Sequence, residues 1–150
     1  MNRLLYLLAS SSIAFLACKS EHPDLKTAQA LFLEAKNLKQ EILTSQIEIL
    51  NQAKMVDSRI RNEDKESVFA ISEAYNHLDE VDKALNGLSH SERAVPGHEK
   101  EAGPVVHLDP NMDPSTVLMI QKNYKDSLQL IKIDLDAAAT LINALKTKVK

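Results

Sequence analysis

The chain has 150 residues, a formal net charge of −3 at neutral pH, one cysteine, no tryptophan and 4% aromatic residues. A mildly acidic chain gives no electrostatic reason to expect nucleic acid or anionic lipid headgroups as partners, and so few flat rings argue against a carbohydrate-binding or antibody-like surface. The length fits one domain, whose core must come from Leu, Ile, Val and Ala, a composition that suits helices.

Met1-Asn2-Arg3 opens the chain with a positive charge, and Leu4 to Ala17 is apolar or small without any charge. This is the length and flank of a secretory signal core. It falls short of the about 20 apolar residues that span a bilayer, and Ser10-Ser11-Ser12 weakens it further as a permanent span. The run stops at Cys18, and Lys19, Ser20 and Glu21 follow. Phe15-Leu16-Ala17-Cys18 resembles the lipobox of bacterial lipoproteins. The resemblance implies that residues 1–17 are a lipoprotein signal peptide cleaved before Cys18. It also implies that Cys18 is the lipidation site, with diacylglycerol on its thiol and an acyl chain on its new amine, and that residues 18–23 are a lipidated tether. Two or three chains, at about 0.8 kcal/mol per buried methylene, hold a protein on a membrane where one chain does so only marginally. The plain alternative is an ordinary secretory peptide, which would leave an odd free thiol in a secreted chain. Lys19 after the cysteine resembles the outer-membrane-directed pattern of some bacteria, so the outer membrane is expected rather than the inner.

Glycine and proline then mark out the helices. Pro23 stands alone, and every other such residue lies between Gly87 and Pro114. Helix interiors exclude both types, so two helical regions flank a loop at about 91–112. In the first region Ala28, Leu31, Ala35, Leu38, Ile42, Gln46, Ile49, Ala53, Val56 and Ile60 recur at steps of three or four. The pattern fades through Arg61–Glu66 and resumes at Val68, Ile71, Tyr75, Leu78, Leu85 and Leu88, with Val81 and Asp82 straddling a missing turn. Basic residues before Asn62 and acidic ones after it suit a helix stop and start. A turn at 61–64 is therefore expected, with helices at about 24–60 and 64–89. One unbroken helix, giving a long helical hairpin, is the alternative. Beyond the loop, Asp113 suits an N-cap and Pro114 the first helical position. Val117, Ile120, Tyr124, Leu128, Ile131, Leu135, Ala138, Ile142, Leu145 and Val149 then form a coiled-coil-like seam over 114–148. Leu130, Ile133, Ala137 and Leu141 widen it, which predicts contact with two neighbours. The expected fold is all-α: residues 24–150 form an up-down-up three-helix bundle whose last helix runs parallel to the first.

The loop holds His90, His98 and His107 among Glu92, Glu99, Glu101, Asp109 and Met112. Imidazole and carboxylate ligate zinc, copper and iron, so a metal site on these three histidines is one reading. Their spacings match no zinc pattern, and a solvated polar loop is the plainer one. His77 shares a helix face with Glu73 and Glu80, but the chain has no Glu-x-x-His of the kind that bundle di-metal sites use. Asp79–Lys83 and Asp57–Arg61 have the helix-supporting spacing of surface pairs. There is no phosphate loop, nucleophile elbow, His-Glu-x-x-His or EF-hand loop, so no catalysis is expected and no cofactor is implied.

The lipobox at Cys18, the two helical blocks, the polar loop, and the Ile131–Leu145 stretch with Ala137-Ala138-Ala139 resemble small bacterial helical lipoproteins of the type labelled "viral A-type inclusion protein". That label describes coiled-coil content, and the group carries no established activity to transfer. The resemblance implies a membrane-anchored lipoprotein of the cell envelope. The expected function is a structural or protein-interaction role through the helical bundle, with a protein partner and no nucleic acid. Metal binding by the loop is the alternative.

Overall fold

Pro23 and Pro114 each open a long helix in the computed structural model, which describes residues 22–61, 64–98, 100 and 105–149. Helix α1 spans Pro23–Asp57, α2 spans Lys65–Leu88 and α3 spans Pro114–Lys148. Proline suits the first helical position because an N–H there would have no intrahelical acceptor. Asp113 and Asp64 cap α3 and α2 by accepting from the Thr116 and Ser67 amides, each at 3.1 Å. Side-chain hydrogen bonds from Ser115 and Ser67 hold these two carboxyls below the usual carboxylate range. At the start of α1, His22 Nδ1 accepts from the Asp24 amide at 3.3 Å.

Helices α1 and α2 are separate. The break is wider than the expected 61–64, because α1 stops at Asp57. The Arg59 and Ile60 amides donate to the Val56 and Asp57 carbonyls at 2.9 and 3.1 Å, which closes the last turn tightly. The proposed Asp57–Arg61 pair therefore has no helix to sit on. Asp57 instead accepts from the Tyr75 hydroxyl at 3.4 Å.

Side-chain pairs set the direction of each helix. Along α3, Lys125 meets Glu34, Lys132 meets Glu41 at 3.2 Å, and Lys146 meets Gln52. The partners advance together along both helices, so α3 runs parallel to α1. Helix α2 runs the other way: Glu66 in its first turn meets Lys148 in the last turn of α3 at 2.8 Å. The three-helix up-down-up bundle is thus observed. Helix α3 packs along both others, whereas α1 and α2 touch each other little.

Most of the buried side chains form one cluster that includes Ile42, Ile49, Ile71, Leu78, Val81, Tyr124, Leu128, Leu135 and Ile142. A second cluster of Ala28, Phe32, Val95, Leu108 and Val117 lies where α1 and α3 begin. It exists because α2, with 24 residues against 35 in α1 and α3, is about 16 Å shorter at the helical rise of about 1.5 Å per residue. The loop fills the missing length. Strand β1 (Arg93–Ala94) pairs in parallel with β2 (Val106–His107), and the Leu108 amide donates to the Ala94 carbonyl at 3.0 Å. A Pro96-Gly97 turn follows β1, closed by the His98 amide on the Val95 carbonyl at 3.0 Å. Gly97 has φ of +92°, the left-handed region that the third residue of such a turn requires. Three side chains fasten the loop to the helices. Gln29 Nε2 donates to the Pro96 carbonyl at 3.1 Å, Gln121 Nε2 to the Arg93 carbonyl at 2.9 Å, and Lys39 pairs with Glu92 at 2.5 Å. The loop is therefore not simply solvated: Ala94, Val95 and Leu108 are core residues.

This arrangement shifts the seams at one end. Phe32 rather than Leu31, and Gln121 rather than Ile120, take the buried positions. There each helix faces the loop instead of α2, so the buried face rotates by one residue. In α2 the buried face runs Ser67, Ile71, Ala74, Leu78, Val81 and Leu85, which leaves Val68 exposed and Tyr75 at the edge.

Candidate functional site

Residues 1–17, the proposed lipidation site Cys18 and most of the tether lie outside the described residues. No described helix is long and apolar enough to cross a membrane.

The three loop histidines occupy different environments. His90 is exposed just past the end of α2, and its carbonyl accepts from Arg93 Nη1. His98 is half-buried, its ring tilted 45° against that of Phe32 with centroids 6.1 Å apart. His107 is exposed on β2. Among the described residues no group of three or more His, Cys, Asp or Glu side chains could hold a metal ion. His77 points across to α3, with Nδ1 at 3.5 Å from Asp134.

Electrostatics divides the surface into paired edges. The Glu34–Lys125 and Glu41–Lys132 pairs line the junction of α1 and α3, and Lys132 also meets Asp136 at 3.3 Å. Hydrogen bonds to Glu41 raise the Lys132 pKa. Lys83 meets Asp79 at 2.6 Å and Glu80 at 3.0 Å, which raises its pKa in turn. Inside the bundle, the Tyr124 hydroxyl is buried without a hydrogen bond of normal geometry. Burial, then the nearby Glu92 carboxylate, pushes its pKa far up and keeps it neutral. These pairs between helices could not be read from sequence spacing, since their partners lie about 90 positions apart.

The largest departure from the sequence reading concerns Leu130 and Ile133. They do not widen the core seam. They are 66% and 64% exposed, on the side of α3 turned away from both neighbours. Contact of α3 with two helices comes from the seam itself, at Leu128, Ile131, Leu135, Ala138 and Ile142. Ala137 and Leu141 are half-buried, and Leu141 packs at the edge of the core. Leu130, Ile133, Ala137, Leu141 and Ala144 recur at steps of three or four, which is a second seam on the outside of the same helix. Met119 is exposed as well but is separated from this row by Asn123 and Asp126, and on α1 Leu43 and Ile47 are also exposed. Scattered single apolar residues on a surface need no explanation, and this row differs from them only in being periodic.

Compared with family models, curated proteins and solved structures, the chain matches none.

Proposed function

We propose that this protein is a lipid-anchored component of the bacterial cell envelope that acts by binding a partner protein, rather than by catalysis. The observation that carries this reading is the outer seam of α3. A helix with apolar rows on two faces is built for two layers, and the bundle supplies only one of them. The occupant that fits is an amphipathic helix of the partner, seated at i, i+3 and i+7 on Leu130, Ile133 and Ala137. The anchor is supported by the charged start, the uncharged core and Cys18 at its end.

Each half of the proposal has its own test. With labelled fatty acid in cells, Cys18→Ser is expected to abolish incorporation and to block cleavage before residue 18. Equal labelling of the variant would sink the anchor. For the partner, a photo-crosslinking residue placed at Leu130 is expected to give a discrete adduct in cells, and one at the exposed Glu73 of α2 is not. Leu130→Gln with Ile133→Gln should remove an adduct formed from position 137 while shifting stability by no more than about 0.5 kcal/mol, as for most surface changes. Equal adducts from both helices would mean that the outer seam has no special role.

A further inference from the structure

The end of the bundle where α1 and α3 finish carries two clefts that the reading above does not use. One, of about 260 Å³, is lined by Gln52, Met55, Val56, Arg59, Lys146 and Val149, and its walls are almost entirely apolar. The other, of about 270 Å³, is lined by Arg59, Arg61, Asp64, Lys148 and Val149 and is mostly polar. They share Arg59 and Val149, so an apolar cleft lies directly beside a polar one that holds two arginines.

The charges in the polar cleft are not equivalent. Asp64 is occupied as the cap of α2: its Oδ1 accepts from the Ser67 amide at 3.1 Å and its Oδ2 from the Ser67 hydroxyl at 2.6 Å. Lys148 is paired with Glu66 at 2.8 Å, and Lys146 donates to Gln52 Oε1. Arg59 and Arg61 are exposed and have no ion-pair partner among the described residues. A cation beyond the end of α1 suits the helix dipole, which would account for Arg59 alone. It does not account for a second arginine further on, or for an apolar cleft opening between them and the exposed Met55.

We propose that this end of the bundle binds a single-chain anionic amphiphile. The chain lies in the cleft floored by Met55, Val56 and Val149, and the anionic head sits on Arg59 and Arg61. A guanidinium holds a carboxylate or phosphate through two parallel N–H donors, and it does so best beside a surface that excludes water. The apolar cleft is smaller than the about 300–1,000 Å³ of pockets that enclose drug-sized ligands, so it suits part of one chain and not a two-chain lipid. The net charge of −3 is a sum over the whole chain and does not exclude a local pair of cations.

The test uses the full chain carrying Cys18→Ser, so that no attached lipid competes. Calorimetric titration with dodecanoate below its micelle concentration is expected to show one saturable site. Arg59→Gln with Arg61→Gln should weaken binding about ten-fold or more, on the scale of two lost charge-assisted contacts. Met55→Asp should do the same from the apolar cleft. All three positions are on the surface, so the melting temperature should stay unchanged and serve as the control. Dodecyltrimethylammonium, with the same chain and the opposite charge, and acetate, with the head alone, should both fail to bind. The proposal is overturned if dodecanoate does not bind, if the variants bind it equally, or if either control ligand matches it. Binding to phosphatidylglycerol vesicles without binding of monomeric dodecanoate would also overturn it, because the site would then read a membrane surface and not a free amphiphile.

Discussion

Leu135→Asp is expected to cost about 4 kcal/mol or more, enough to remove most of the stability of a domain whose total is about 5–15 kcal/mol. Leu135 is 1% exposed and sits in the main core cluster on the helix that holds both others in place. The substitution removes the contacts of a buried leucine and puts a carboxylate into an apolar cluster. Both effects act in the same direction. Loss of the far-ultraviolet helical signal at room temperature, or a melting temperature lowered by more than ten degrees, is the expected readout. Leu130→Asp on the same helix is the matched control. It introduces the same charge five positions earlier, on the outer face, and should leave melting nearly unchanged. Equal effects of the two would show that α3 is not oriented as described.

Phe32→Ala is expected to cost about 3–5 kcal/mol, the usual range for a buried phenylalanine, and to do so locally. Phe32 is 2% exposed and is the largest side chain of the cluster beneath the loop. Without it, Val95 and Leu108 lose the surface that they cover, and the short β1–β2 pairing loses its support. Hydrogen exchange should quicken first at the Leu108 amide, which donates to the Ala94 carbonyl, while amides in the middle of α2 change only with global stability. Uniform quickening throughout would show that the two clusters unfold as one. A cost below about 1 kcal/mol would mean that the loop is not held by packing at all.

How much of this could be read beforehand depends on what each residue faces. The limits of α3 were legible because Asp113-Pro114 is a strong start signal and the seam from Leu128 to Leu145 faces helices along its whole length. The same periodicity misassigned Leu31 and Ile120. A helical repeat assumes one kind of neighbour, and at that end the neighbour is a loop. Gln121 was invisible for a different reason. Its burial depends on a single backbone carbonyl, that of Arg93, brought there by a turn about 25 residues earlier in the chain. Leu130 and Ile133 were legible as apolar and helical but not as outward-facing, because a second seam and a widened first seam have the same spacing. The cationic end was not legible in any local spacing, since Arg59 and Lys146 lie on different segments of the chain and line one cleft only in the packed bundle.

That parallel arrangement has a consequence for how the chain reaches its native state. The first two helices form no close hairpin of their own, and most of the helix-to-helix packing of either one is with α3, the last of the three in chain order. The contacts joining α1 to α3 close chain segments of about 90 residues. The packing of α1 on its main partner is thus non-local, and a long chain segment must be closed before those contacts form. Until α3 arrives, two amphipathic helices stand with their apolar faces open, and a chain truncated before Asp113 has nothing to bury them against. Such a fragment would be an aggregation hazard or a ready protease substrate. Arrival of α3 and acquisition of resistance to proteolysis are therefore a single event for this fold.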